Sequence, residues 1–384
     1  LIHFQYIDIF SAIQDLFHKA FQEYPVLTVA ENFATPYNHS YQARRFPMIG
    51  RYIIFEAVGK AVLQEYEVPT PQGHEVLLES DYSLVSAGTE RANLVRLPNT
   101  GTWECGFPFY PGYSAAGRVL AVGPDVKNFH VGDRAIIPWG GHRSHTIKLD
   151  SQAMKIADDS IDLFDAAMAH VASFAFLGVR KLKLELGEAA VIVGQGLLGA
   201  FAVQIANLSG AFPVLALDFD PVRRKLALQL GAAAAFSPDD EHLVDRIQAA
   251  TDGRGPNGVV EVTGSAQALQ QALEYIAWEG RISLLGCTRI SDSPIDFYKY
   301  VHRRGITLIG SHTNTRPGQE SRPGQWTEHD DYRTFLKLVK AGKLQTRPLV
   351  SEVVSPDTAP AVYARLAEVK NPPLGIMFDW RKTR

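Results

Sequence analysis

The sequence predicts an α/β protein: a β-rich first domain followed by a doubly wound parallel sheet with helices on both faces. Three observations carry that expectation. From Arg51 to about Ile156, short alternating segments are broken by Pro and Gly. From Ala189 onward, short apolar runs alternate with stretches of helical periodicity. A Gly-x-Gly-x-x-Gly marks the junction between the first of those runs and the first of those helices.

In the first domain, Arg51 to Val58 reads as the first clear strand. Glu75-Val-Leu-Leu-Glu-Ser80 and Gly117-Arg-Val-Leu-Ala-Val-Gly123 read as two more. Gly132-Asp133-Arg134 is a turn feeding Ala135-Ile-Ile-Pro138, and from Asp162 to Lys183 the periodicity turns helical. Ala189-Ala-Val-Ile-Val-Gly194 then opens a strand–helix alternation. Its further strands are Pro213 to Asp218, Gly258 to Thr263, Arg281 to Gly286 and Ile306 to Gly310; its helices include Leu198 to Leu208, Val222 to Leu230 and Ala266 to Ala277. Strands joined by helices lie parallel in one sheet, because each crossover returns the chain to the same end.

After His312 comes a loop with a short repeat, Arg316-Pro-Gly-Gln and Arg322-Pro-Gly-Gln, then a helix from Tyr332 to Lys340. The final strand–helix–strand stretch is expected to rejoin the first domain. The expected division is 51–178 with 313–384 for the β-rich domain and 179–312 for the parallel sheet. The chain begins with Leu, and Met48 lies just before the first strand. Residues 1–50, with a helical run from Phe10 to Tyr24, therefore read as a poorly ordered extension.

Composition narrows the function classes. Of 384 residues, 46% are hydrophobic and 21% charged, the balance of a globular protein with room for two cores. The net charge of −3 is spread without a basic stripe, so no nucleic-acid partner is expected. No run approaches the roughly 18 apolar residues of a membrane helix. Cys105 and Cys287 are the only cysteines, which excludes a disulfide framework and a four-cysteine metal lobe. A reducing, cytoplasmic setting is the expectation.

The glycine motif carries the chemistry. In Val191-Ile-Val-Gly194-Gln-Gly196-Leu197-Leu198-Gly199, the first glycine makes a tight turn and the second lets backbone approach a pyrophosphate. The third brings helix and strand together, and the amides of the helix opening at Leu197 and Leu198 face the phosphate charge. Asp218 ends the next strand at the spacing of a group that bonds a ribose 2′-hydroxyl, so the cofactor expected is NAD. A carboxylate there repels the 2′-phosphate of NADP. Arg223, five residues on, is the counter-signal, and the carboxylate is taken to dominate. Thr263, Leu285 and Gly286 end strands whose carboxyl ends face the ligand crevice, and are expected to line the cofactor as well.

With this order of domains the chain resembles the zinc-containing branch of the medium-chain dehydrogenase/reductase superfamily, of which sorbitol and threonine dehydrogenases are typical. The resemblance runs from about Arg51 to Trp380. It rests on Gly112 to Val119, Gly132-Asp133-Arg134, the glycine motif, Leu217-Asp218 with Arg223, and Gly231-Ala232. It implies a GroES-like fold for the first domain, a Rossmann fold for the second, and a small-molecule substrate in the cleft between them. It breaks at the metal. The family's Gly-Ile-Cys-Gly-Thr-Asp stands here as Val85-Ser86-Ala87-Gly88-Thr89-Glu90, and its Pro-Gly-His-Glu as Pro111-Gly112-Tyr113-Ser114. A further family acid falls on His170, and the structural-zinc loop has no cysteines after Pro138-Trp139-Gly-Gly141. A catalytic zinc needs three protein ligands at about 2.0–2.3 Å, so no metal is expected.

The resemblance makes Thr89 the proton-relay hydroxyl and Glu90 its neighbouring acid; without the metal, both can equally be capping and pairing groups within the fold. Tyr113 stands where a substrate-facing ligand would have been. His312 follows the strand ending at Gly310 and faces the crevice by the strand-end rule. His170, between Ala169 and Val171, reads either as an interior histidine or as a functional one. For proton transfer the expected order is Tyr113, then His312, then His170. Arg316 and Arg322 read as solvated loop arginines, with an anion-attracting lid as the alternative.

The resulting expectation is zinc-independent, NAD(H)-dependent hydride transfer at an alcohol/carbonyl carbon. The alternatives are reduction of an activated C=C bond, as quinone and enoyl reductases do, and a non-catalytic NAD-binding sensor. Pairing through the strands Arg281 to Gly286 and Ile306 to Gly310 would make a homodimer.

Overall fold

The computed structural model describes residues 48–291, 293–369 and 372–383, so the helical run expected from Phe10 to Tyr24 lies outside them. The described residues open with an antiparallel hairpin of β1 (Ile49–Ala57) and β2 (Lys60–Glu67) turning at Gly59. The long strand β3 (Glu75–Ser86) runs directly into helix α1 (Ala87–Leu94), followed by the short α2 (Gly101–Cys105). Strands β4 (Ser114–Val122), β5 (Arg134–Pro138), β6 (His145–Leu149) and β7 (Met154–Lys155) complete this half.

The helix expected over Asp162 to Lys183 is two helices, α3 (Leu163–Ala166) and α4 (Ala169–Leu182). Asp162 caps α3 by accepting from the Phe164 amide at 2.9 Å. At the junction Ser114 Oγ donates to the Ala167 carbonyl at 2.6 Å, tying the break to β4. The end of α4 is Lys183, in the left-handed conformation.

Strand–helix alternation follows as the apolar runs require. The elements are β8 (Ala190–Val193), α5 (Leu197–Leu208), β9 (Val214–Leu217), α6 (Pro221–Gln229), β10 (Ala234–Phe236), α7 (Leu243–Ala250), β11 (Gly258–Glu261), α8 (Ala266–Tyr275), β12 (Arg281–Leu284) and β13 (Thr307–Gly310). All six strands are parallel, in the order β10-β9-β8-β11-β12-β13. This is the doubly wound arrangement with its switch point beside β8. Every residue of β8, β9 and β11 is buried, the condition of strands covered on both faces.

After α9 (Glu328–Lys340) the chain adds β14 (Glu352–Val354), α10 (Ala359–Glu368) and β15 (Gly375–Asp379). β15 pairs antiparallel with β3, so the last strands belong to the first sheet, whose order is β14-β15-β3-β4-β5-β7 with β6 also on β3.

The expected boundary at 178–179 falls inside α4. This helix is buried along most of its length, and one continuous core joins Ala116 and Ile136 of the first sheet to Ile192 and Ala216 of the second. Each large side chain fully buried there contributes about 1.5–3 kcal/mol. Gly178 marks the closest approach: a Cβ there would stand 2.9 Å from Leu285 Cδ2. The helix thereby packs against the end of β12 at Gly178 and carries His170 in its own first turn.

Candidate active site

The glycine motif is built as its residues demand. Gly194 leaves β8 with φ +90, its amide donating to the Leu217 carbonyl at 2.8 Å. Gly196 is the N-cap of α5, and a Cβ on Gly199 would lie 1.8 Å from the Gly194 carbonyl oxygen. Only glycine allows that packing. The amides of Leu197, Leu198 and Gly199, in the first turn of α5, have no carbonyl a turn earlier to bond, so a phosphate placed there meets unpaired donors.

Asp218 follows β9. Its Oδ2 accepts from the Gln195 amide at 2.7 Å and its Oδ1 from the Asp220 amide at 2.8 Å, which holds the carboxylate beside the glycine loop. Arg223 stands 3.9 Å from that carboxylate and also donates to the Pro372 carbonyl. The corner is therefore less negative than a lone aspartate would make it. On the other side of β8, Thr263 packs against Gly194, and Gly286 has no room for a side chain, since a Cβ would sit 2.2 Å from the Gly264 nitrogen. Leu285 is buried and Cys287 exposed. The group that organises this corner is buried Glu261, whose carboxylate accepts the Thr263 amide at 2.7 Å and the Gly264 amide at 3.0 Å. Sequence reading passed over Glu261, although an acid ending an otherwise apolar run was the available signal.

The second cluster surrounds Tyr113. Burial raises the pKa of its phenol well above that of a free tyrosine, against the opposing pull of the nearby Ser86 and Thr89 side chains. The ring packs against Trp139 at 5.4 Å, Phe174 at 5.8 Å and His170 at 5.8 Å. Trp139 holds a left-handed backbone conformation, φ +54, and is 49% exposed. A bulky residue held there, half in solvent, makes a wall rather than a core side chain. Lys148 donates to the Trp139 carbonyl at 2.8 Å; burial, then repulsion from Arg143, lowers its pKa to about 8.

His170 is fully buried. Its Nδ1 lies 3.1 Å from Glu328 Oε1 and 2.5 Å from the Tyr332 hydroxyl, while its Nε2 has no protein partner. Glu328 was missed because the helix was expected to start at Tyr332. Thr327 caps α9 by accepting from the Asp330 amide, and the pattern Thr327-Glu-His-Asp330 is a helix-start signature that would have placed it.

Glu90 is occupied elsewhere. Oε1 accepts the Ser86 amide at 2.9 Å, and Oε2 takes His142 Nε2 at 3.0 Å and the Tyr363 hydroxyl at 2.5 Å. His142 Nδ1 faces Ser83 Oγ at 2.7 Å, and that oxygen accepts Trp380 Nε1 at 2.8 Å. Every group in this chain has a partner, and Glu90 reads as the pairing group within the fold. His142, unnoticed in a Gly-Gly-His-Arg loop, fits because Gly112 opposite has no side chain; a Cβ would meet the His142 backbone nitrogen at 2.5 Å.

The remaining candidates lie apart. His312 is exposed, and its Nδ1 accepts the Asn314 amide at 3.2 Å as the cap of a short turn. No contact joins it to the Tyr113 cluster among the described residues. Arg316 is not the solvated loop arginine expected, and its guanidinium is spent within the fold rather than offered to an anion. Its side chain is buried, with Nη1 3.2 Å from Asp331 Oδ2 and Nη2 on Ser173, and it pins its loop to α4. Arg322 is exposed on Gln325. The structure thus brings Tyr113, Thr89 and His170 together and leaves His312 outside.

Ala87 offers no ligand atom and Ser114 Oγ is spent on Ala167. Among the described residues no group of three or more His, Cys, Asp or Glu is placed to hold a metal ion. No described helix is long and apolar enough to cross a membrane.

Two family models match this chain: an alcohol dehydrogenase GroES-like domain over residues 73–161 and a zinc-binding dehydrogenase over residues 198–339. D-guloside 3-dehydrogenase of Shigella flexneri is 24% identical, across 80% of this chain and 93% of its own. Sorbitol dehydrogenase of Bacillus subtilis is 23% identical across 70% and 80%. L-threonine 3-dehydrogenase of Pyrococcus furiosus is 27% identical across 76% and 87%. Among solved structures, an Escherichia coli oxidoreductase/dehydrogenase of unknown specificity superposes with a TM-score of 0.75 at 19% identity, covering 86% of this chain and 99% of that one. A Sinorhizobium meliloti structure with NADP bound gives 0.73 at 20% identity with the same coverage. At these identities the structural likeness is one of fold.

Proposed function

The chain belongs to the medium-chain dehydrogenase/reductase superfamily, and from that premise we propose that it transfers hydride between NAD(H) and a secondary alcohol/carbonyl carbon held beside Tyr113. The observation that carries this reading is the pairing of a complete glycine cradle with a polar, aromatic-walled cluster whose members come from the start of α4, from α9 and from Tyr113 just before β4. Helix α4 is the link: it carries His170 in its first turn and meets Leu285, just past the carboxyl end of β12, at Gly178. Strand ends of the parallel sheet are where a doubly wound fold presents its cofactor.

The residues fit the dinucleotide. Its pyrophosphate would lie on the α5 amides, its ribose on Asp218, and its nicotinamide beside Thr263, Leu285 and Gly286. When bound it supplies the hydride acceptor. NAD is preferred over NADP because of Asp218, with Arg223 softening the discrimination.

We propose further that the site works without zinc. Ala87, Tyr113 and Ser114 leave too few ligands for a tetrahedral site. Hydrogen-bond donors must then steady the oxyanion. A raised pKa keeps the Tyr113 phenol protonated across the neutral range, so it serves as such a donor, backed by Thr89 and Ser86. The relatives named above act on guloside, sorbitol and threonine, which supports a small polyhydroxylated or amino-alcohol substrate. The flat faces of Trp139, Tyr113 and Phe174 suit the C–H face of a sugar-like ring.

The test is a panel of pyranosides, polyols and hydroxy-amino acids, read by cofactor absorbance, with both dinucleotides titrated by fluorescence. Turnover of an alcohol with NAD supports the reading; reduction only of activated double bonds, or tight NAD binding with no turnover of any kind, refutes it.

A further inference from the structure

We infer that His170 and Glu328 form a proton-transfer dyad, with His170 Nε2 as the base that takes the substrate hydroxyl proton and Glu328 as its positioning residue. The proposal rests on the hydride-transfer reading for its substrate, and on geometry alone for the dyad.

The tautomer follows from what surrounds the two ring nitrogens. Burial pushes the Glu328 pKa up, but its contact with His170, together with Arg316 and Tyr332, leaves it below the ordinary value. An ionised carboxylate only accepts. We assign the proton to the imidazole nitrogen 3.1 Å from that carboxylate and 2.5 Å from the Tyr332 hydroxyl, with Tyr332 donating onward to Glu328. With Nδ1 protonated, Nε2 carries the lone pair. That nitrogen is buried and has no protein partner. It sits on the ring edge away from α9, in a ring enclosed by Trp139 at 4.8 Å, Phe174 at 4.9 Å and Tyr113 at 5.8 Å. A buried acceptor left unpaired is costly, and a substrate hydroxyl is the partner that completes it.

The charged and titratable groups facing the imidazole are Glu328 and Tyr332 on α9, Arg316 from the preceding loop, Lys148 on β6 and Tyr113 before β4. Desolvation, opposed by Glu328 and assisted by Arg316 and Lys148, lowers the His170 pKa, so the ring is neutral and ready to accept at neutral pH. In the oxidative direction the hydroxyl O–H bond breaks and its proton goes to Nε2. The carbinol C–H bond breaks, and its electron pair passes as hydride to the oxidised nicotinamide. The products are a carbonyl, a reduced cofactor and an imidazolium paired with Glu328; the imidazolium then releases its extra proton to solvent. In reduction the same proton returns to the oxyanion. This reverses the order expected from sequence: Tyr113, raised by burial, is too weak an acid to lead, and His312 lies outside the cluster.

The experiment combines nitrogen NMR of ¹⁵N-histidine-labelled protein with pH–rate profiles of wild type, His170→Gln, Glu328→Gln and Tyr332→Phe. The wild type shows His170 as the Nδ1–H tautomer, and Glu328→Gln moves its titration to lower pH because the counter-charge is gone. His170→Gln lowers turnover about 10²–10⁴-fold with NAD affinity unchanged. Glu328→Gln lowers it less and shifts the acid limb of kcat/KM downward, a shift that a merely structural role would not produce. An Nε2–H tautomer in the wild type, or full turnover by His170→Gln, overturns the dyad while leaving hydride transfer standing. If the wild type transfers no hydride to any alcohol or carbonyl, the functional reading fails, and the NMR tautomer still decides the dyad by itself.

Discussion

Replacing Glu90 with Ala separates a structural acid from a catalytic one. The carboxylate accepts the Ser86 amide, His142 Nε2 and the Tyr363 hydroxyl, all buried. The geometry reads in one direction: Trp380 N–H to Ser83, Ser83 O–H to His142 Nδ1, His142 Nε2–H to Glu90. Removing the acceptor at its end strands the Ser86 amide, an imidazole N–H and a phenol O–H in the buried interior. Hydrogen bonds to a charged group contribute about 1.5–3 kcal/mol each, yet they share one group and are not additive. Breaking one partner of a buried pair costs about 3–5 kcal/mol, which is the figure expected for Glu90→Ala. Against a total stability of about 5–15 kcal/mol, that loss is easily read by urea unfolding. Glu90→Gln should lose less, since its carbonyl oxygen keeps one acceptor. NAD affinity of the folded Glu90→Ala fraction stays unchanged. Wild-type stability in Glu90→Ala, combined with lost turnover, would refute the structural assignment and return Glu90 to the chemistry.

Other expectations are quicker to check. NADP should bind about ten- to a hundredfold more weakly than NAD, since one added charge at about 5 Å and an effective dielectric of about 20 is worth about 3 kcal/mol before Arg223 offsets part of it; Asp218→Asn should narrow the gap in a fluorescence titration, and an unchanged ratio removes Asp218 from this role. Tyr113→Phe should cost about 10²–10³-fold in turnover, the loss of one oxyanion donor, without moving the pH profile; a shifted profile would make Tyr113 the acid after all. Lys148 has a folded pKa lowered to about 8 from 10.5, so the unfolded chain binds its proton more readily between those values. Stability should therefore gain from this group as pH rises through that window, and Lys148→Met should abolish the gain in thermal melts. β13 is the outer strand of the parallel sheet; pairing through it should give a dimer by light scattering, and a monomer at working concentration would dismiss that association.

Most of the parallel sheet was legible because strands covered on both faces read as short apolar runs, and because the glycines at 194 and 199 are each required by a contact visible in the folded chain, while a Cβ on Gly196 would meet open space. The edge strand Ala234–Phe236 and the helix Leu243–Ala250 escaped, the first being too short for any periodicity to show. In the β-rich half, alternation located β3, β4 and β5. The polar network of His142, Glu90, Ser83, Tyr363 and Trp380 was invisible, since it joins residues up to 297 apart in sequence. His170 was noticed without its partner, because Glu328 is 158 positions away and meets it only through the packing of α9 on α4. Arg316 looked like a surface group from its Pro-Gly neighbours; its burial is set by Asp331 on another element.

The central claim is hydride transfer run by side chains instead of a metal. The most direct measurement follows formation of reduced cofactor on the best alcohol of the panel, with protein treated with chelator, checked for zinc by elemental analysis, and then given zinc back. The expected result is an equal rate in all three states, with no stoichiometric zinc at the start. A rate that collapses with chelator and returns with zinc would contradict the account.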